Sequence, residues 1–118
     1  MSTSKGQKAE AQAADYLISQ GYQVLARNVR GGRGEIDIVA QKGALLAFVE
    51  VKAHRLRDAS LQAVTEAKCV RLRSAAQAWL VKQPEAALLQ CRFDLIIVSP
   101  SVGQNLKYKI EHLTDIFR

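Results

Sequence analysis

The spacing of apolar positions changes several times along this chain, and each change predicts a new element. Residues 6–20 are rich in Ala, Gln and Leu, and Ala13, Ala14, Leu17 and Ile18 recur at helical spacing. Gly21 then stands where a helix C-cap glycine is expected. Residues 22–29, YQVLARNV, read as a strand, and residues 30–34, RGGRG, as a flexible basic loop. Residues 35–40 and 44–52 are β-rich runs around a turn at Lys42-Gly43. A basic connector, residues 53–60, leads to the strongest helical pattern, residues 61–82. There Leu61, Val64, Leu72, Ala75 and Trp79 share one face, and Pro84 ends the helix. Residues 93–99, FDLIIVS, read as a central strand. Residues 106–113, LKYKIEHL, alternate apolar with polar, as a half-exposed edge strand does.

The resulting order is α-β-β-β-α-β-β in a single domain over residues 1–118, without repeats or linkers. Helices divided by strand groups predict an α/β fold, a mixed sheet flanked by helices. The connection from 44–52 through the long helix to 93–99 is a crossover, so those two strands are expected to be parallel. The composition, 48% hydrophobic and 24% charged, is that of an ordinary globular domain. Seventeen Lys and Arg against eleven Asp and Glu leave a net charge of +6, which favours a polyanionic partner. Cys69 and Cys91 stand in no metal-ligand spacing and fit a reducing compartment. The polar start MSTSKGQK does not resemble a signal peptide, and no apolar run reaches the roughly 20 residues of a membrane span. The expectation is a cytoplasmic protein with no membrane partner.

Within this ordinary pattern one hairpin is unusual. Residues 34–52, GEIDIVAQKGALLAFVEVK, carry Glu35, Asp37, Glu50 and Lys52 inside two apolar runs. Strand side chains alternate between faces. Glu35, Asp37 and Val39 therefore share one face, and Ile36, Ile38 and Ala40 the other. A turn at Lys42-Gly43 pairs Gln41 with Ala44, Asp37 with Phe48 and Glu35 with Glu50. The three carboxylates and Lys52 then gather on one side. Exposed ion pairs on a solvated face are the alternative, but IDIVA and LLAFVEV are too apolar for an exposed hairpin. Carboxylates so close stay ionised only with a cation between them. Mg²⁺, with Mn²⁺ as its substitute, suits Asp37, Glu50 and the backbone carbonyl of Val51. Lys52, two residues beyond Glu50, could orient or deprotonate a water or stabilise a phosphate under attack. Glu10 lies on the apolar face of the first helix. It either reaches solvent near the helix N-terminus or adds a fourth acidic group at the rim of this site.

Asp37 followed by Glu50-Val51-Lys52 resembles the D…ExK core of the PD-(D/E)XK nuclease superfamily, and Glu10 resembles the helix-borne acid of its Holliday-junction resolvase branch. The whole chain is similar to the YraN family of resolvase-like bacterial proteins. The segments that carry this likeness are GxxAExxAxxYL (Gly6–Leu17), GY (Gly21-Tyr22), RNxR (Arg27–Arg30), GEID (Gly34–Asp37), FVEVK (Phe48–Lys52), VTxxK (Val64–Lys68) and RFD (Arg92–Asp94). The resemblance implies a restriction-endonuclease-like fold and phosphodiester hydrolysis. Asp37 and Glu50 would hold Mg²⁺, Lys52 would act on the water, and Thr65 and Lys68 would lie near the site. The chain departs from the pattern at Ile36, where a proline is usual, and at Arg55, displaced by one from the usual K-x-R. Arg27, Arg30, Arg33, Arg55 and Arg57 are candidate phosphate contacts, which set affinity rather than sequence choice. The leading expectation is a Mg²⁺-dependent endonuclease acting on structured or branched DNA, for which a two-fold dimer would suit paired cuts. A nucleic-acid-binding module without catalysis and an interaction protein with no nucleic-acid role are the alternatives.

Overall fold

The computed structural model describes residues 4–53, 65–100 and 108–117. Helix α1 (Ser4–Ser19) leads into strands β1 (Gln23–Gly31), β2 (Gly34–Lys42) and β3 (Leu45–Ala53). Helix α2 (Glu66–Val81), a short 3₁₀ turn (Pro84–Leu88), and strands β4 (Gln90–Pro100) and β5 (Tyr108–Leu113) follow. The strands form one sheet in the order β1-β2-β3-β4-β5. Only β3 and β4 are parallel, as their crossover requires; the other neighbours are antiparallel. The mixed α/β architecture and its element order are those the pattern predicts.

Each helix covers one face. Ala9, Ala13, Ala14 and Leu17 of α1 pack on Ile38, Ala40, Ala47, Val49, Ile96 and Val98. Leu72, Ala75 and Ala76 of α2 pack on Ile36, Val39, Leu46, Phe48, Leu95 and Ile97. Trp79 joins this second layer edge-on to Phe48, with ring centroids 6.0 Å apart. Because β3 and β4 are buried on both sides, they read as nearly unbroken apolar runs. Helix α1 ends in a Schellman cap: Gly21, at φ +92°, donates to Ile18 O, and Tyr22 N–H reaches Leu17 O at 2.9 Å. Ile18 is 57% exposed, contrary to the periodicity reading. The buried stripe centres on Glu10, Ala13 and Leu17, and Ile18 lies about 100° round the helix from Leu17.

Five further expectations are corrected. RGGRG is no flexible loop: β1 runs to Gly31, β2 starts at Gly34, and the turn between them lies against α2. The β2–β3 register pairs Ile38 with Val49 and Lys42 with Leu45, two residues from the expected pairing. The turn centres one residue later than supposed, at Gly43-Ala44, with Gly43 at φ +59°. A shift of two preserves which residues share a face within the ladder, and Asp37 and Glu50 lie just beyond its end, close enough for their charges to interact. Cys91 lies inside β4 rather than before it, and is exposed. Finally, Thr65 is extended (φ −112°, ψ 161°) and caps α2, so the helix does not run unbroken from residue 61. Leu61 and Val64 lie outside the described residues, as do His54, Arg55 and Arg57.

Alternation breaks in β1 between Val24 and Ala26, where the register shifts, and in β2 around Asp37. Ile36 and Val39 both pack on the α2 side, which strict alternation would put on opposite faces. Their β1 partners, Val29 and Ala26, share that side. Between these pairs stand Asn28, at φ +53°, and Asp37. Asn is one of the few residues that tolerate this left-handed backbone, and the kink there re-aims both strands. The β2–β3 ladder ends at Ile38 and Val49, next to Asp37.

Candidate functional site

Where β2 and β3 part, the Val51 N–H donates to Asp37 Oδ2 at 2.8 Å. This bond fixes the carboxyl in the gap between the strands. Burial pushes the Asp37 acid up to about 7, against the downward pull of the Val51 N–H, and the negative charges of Glu50, Glu10 and Glu35 add to the rise. These acids come from three elements: Glu10 from α1, Asp37 and Glu35 from β2, Glu50 from β3. Glu10 is 5% exposed and its Oε2 is buried without a hydrogen-bond partner. Of the two alternatives left open by its helical position, the solvent-reaching one is excluded.

On the α2 side, Glu50 Oε1 meets Lys68 Nζ at 2.9 Å and Lys52 Nζ at 3.4 Å. Burial draws both ammonium groups down. For Lys52 the hydrogen bond with Lys68 and the attraction of Glu50 outweigh it, so Lys52 is held above its usual range. For Lys68 burial and the neighbouring Lys52 dominate, and it is lowered. Thr65 positions Lys68 by accepting from its backbone N–H at 3.2 Å, the first cap bond of α2. The Lys52 and Glu50 side chains share the face of β3 that carries Phe48, and the packing of α2 on that face brings Lys68 to them.

Glu50, Lys52 and Lys68 open onto a cleft of about 680 Å³ lined also by Arg30, Arg33, Glu35 and Arg71 and the glycines of the β1–β2 turn, whereas Glu10, Asp37 and Thr65 do not line it. Arg30 pairs with Glu35 at 3.4 Å, an exposed contact of little energetic weight. Arg27 pairs with Ile38, on the α1 side of the sheet, and does not line this cleft. Among the described residues, no three His, Cys, Asp or Glu converge closely enough to form a ready metal cage. Arg71 escaped the sequence reading, although its place one turn beyond Lys68 on α2 was a usable signal.

A second polar cluster was also missed. Asp94 is fully buried on β4 and accepts from Arg92 Nε and Nη2 (both 2.8 Å), His112 Nε2 (2.8 Å) and Asp115 N–H (3.0 Å). Burial alone would raise its acid, but His112, Arg92 and the Asp115 N–H together lower it. Arg92 also donates to Tyr22 Oη at 2.9 Å, and Tyr16 Oη lies 3.2 Å from His112 Nδ1. A carboxylate inside FDLIIVS was the available clue, the same clue that drew attention to Asp37 and Glu50. The cluster is closed and internally satisfied, so its role is to fasten α1, β4 and β5.

Residues 9–98 match the profile of the uncharacterised protein family UPF0102. A UPF0102 protein of Rhodopseudomonas palustris is 51% identical over 98 residues, covering 83% of this chain and 75% of its own. One of Nitrobacter winogradskyi is 50% identical over 95 residues, 80% of each chain. One of Bradyrhizobium sp. is 50% identical over 95 residues, 80% of this chain and 67% of its own. The profile match spans Glu10, Asp37, Glu50, Lys52, Lys68 and Asp94 and ends before β5.

Proposed function

Because this chain belongs to the uncharacterised protein family UPF0102, whose description assigns no activity, we propose one from the site: Mg²⁺-dependent endonucleolytic hydrolysis of structured or branched DNA. The observation that carries this reading is the gathering of Glu10, Glu35 and Glu50 around the buried Asp37 carboxyl, with Glu50 also paired to Lys52 and Lys68 at the wall of a basic cleft. The donor set fits a hard divalent ion. Glu10 Oε2 is buried without a partner and the Asp37 carboxyl is destabilised as an anion by burial, so a cation would satisfy the first and favour the ionised form of the second; oxygen donors are what Mg²⁺ prefers. Asp37, Glu50 and the Val51 carbonyl would hold it, with Glu10 at the rim. When bound, it would polarise a phosphoryl oxygen and acidify a water.

The chain's own groups then have distinct tasks. Lys52, held protonated beside Glu50, suits stabilising charge that develops on the phosphate, and suits the role of base less. Lys68 keeps Glu50 in place and adds positive charge toward the cleft. Arg30 and Arg33 meet phosphates. The test is incubation of pure protein with four-way-junction and linear DNA plus Mg²⁺ or Mn²⁺. Cleavage is expected, and Asp37→Ala abolishes it. No cleavage, or equal cleavage by Asp37→Ala, overturns the proposal. One observation favours a second reading, nucleic-acid binding without turnover: two ammonium groups already neutralise Glu50. That reading expects DNA binding that survives Glu50→Ala with no cut product in either protein.

A further inference from the structure

The β1–β2 turn and helix α2 are fitted to each other through their backbones. A Cβ on Gly34 would collide with the Arg71 carbonyl oxygen and lie 2.8 Å from its carbonyl carbon. A Cβ on Gly32 would collide with Ser74 Oγ and lie 3.0 Å from Ser74 O, and one on Gly31 would lie 2.9 Å from Ala78 Cβ. Only glycines allow this approach. The turn is further tied down by Arg33 N–H, which donates to Ser74 Oγ at 3.0 Å. Two arginines, Arg33 from the turn and Arg71 from the helix, are thereby held at the same edge of the cleft. Both side chains are exposed, and neither has a carboxylate partner among the described residues, whereas Arg30 is engaged with Glu35.

We infer that Arg33 and Arg71 form a clamp for one phosphate flanking the phosphate that is cut, which makes them positioning residues. The inference rests on the nuclease reading above and extends it to substrate placement. Lys68 marks the scissile end of the cleft through Glu50, and Arg71 follows it by three residues, one helical turn along the same face. Guanidinium groups suit this task because their planar donors match phosphate oxygens. A rigid turn also spares the ordering cost that a mobile loop would bring to binding.

The test is fluorescence anisotropy of a labelled four-way DNA junction in EDTA, where binding is read without turnover, across a salt series. Each phosphate neutralised contributes about 0.9 to the slope of log K against log salt. Arg33→Ala and Arg71→Ala each weaken binding while keeping most of the slope, because the other arginine still meets the shared phosphate. The double variant loses about 0.9 of slope and binds about fivefold more weakly at ~0.15 M salt. Lys109→Ala, on the far edge strand β5, binds as the native protein does. A double variant that loses about 1.8, as two separate phosphates would require, overturns the clamp, and so does one that loses nothing. A native protein that binds and cuts while these variants are unchanged overturns the clamp alone. A native protein that binds no DNA overturns the clamp and the nuclease reading together.

Discussion

Asp37 shows how far one side chain's behaviour depends on its surroundings. Its acid titrates at about 7 in the folded protein against 3.8 for an ordinary Asp. Between those values the folded state binds more protons than the unfolded chain, so stability falls as pH rises from about 4 to about 7. Asparagine keeps the acceptor for the Val51 N–H and removes the charge. Asp37→Asn is therefore expected to be more stable than the native protein at pH 8, by at most about 4 kcal/mol, and no more stable at pH 4. Urea denaturation at the two pH values measures this, and an equal difference at both would show that the buried charge is not its cause. The residue types of the site were legible in the sequence, because carboxylates and a lysine inside apolar strands need a reason. Their electrostatic state was not, since it depends first on how deeply packing buries Asp37 and then on the charges of Glu50, Glu10 and Glu35 around it.

At the scale of elements, the two turns use glycine for different reasons. Gly43 needs a left-handed backbone and has nothing within 4 Å of a would-be Cβ. Gly34 needs room beneath the Arg71 backbone. Gly43→Ala is expected to cost about 1 kcal/mol, the penalty of the left-handed conformation alone. Gly34→Ala is expected to cost about 2 kcal/mol or more, because backbone atoms must move. Thermal unfolding of the two variants gives the order, and a Gly34→Ala protein as stable as the native one would show that the turn does not press on α2. The hairpin itself was visible in the alternation, and so was the parity of its ladder from Ile38 to Lys42. The register was displaced by two residues, because turn geometry rather than apolar pattern chose between registers of equal parity. The N-terminus of α2 was misplaced because apolar spacing continues through Thr65 while the backbone there does not.

For the whole molecule, the buried Asp94 cluster joins α1, β4 and β5 into one body. Asp94→Ala leaves Arg92 and His112 without their shared acceptor and is expected to destabilise the fold by about 3–5 kcal/mol at neutral pH. Because the Asp94 acid is lowered in the folded state, that contribution is present above about pH 4 and is lost as pH falls through its folded value. Chemical denaturation of the native and Asp94→Ala proteins at pH 7 checks the magnitude, and a loss below about 1 kcal/mol would show the cluster to be incidental. The apolar pattern alone carried the element order and the parallel pairing of β3 with β4, and it marked Asp37, Glu50 and Lys52 as charges inside apolar strands. These follow from periodicities of 2 and 3.6 residues, which are local properties. Only the tertiary structure decided that Glu10 is buried beside Asp37, that Lys68 reaches Glu50, that Arg71 shares a cleft edge with Arg33 and that the glycine-rich turn is fixed to α2. Each of these is a contact between elements far apart in the chain, and such contacts are chosen by the packing of helices on the sheet, which no local period records.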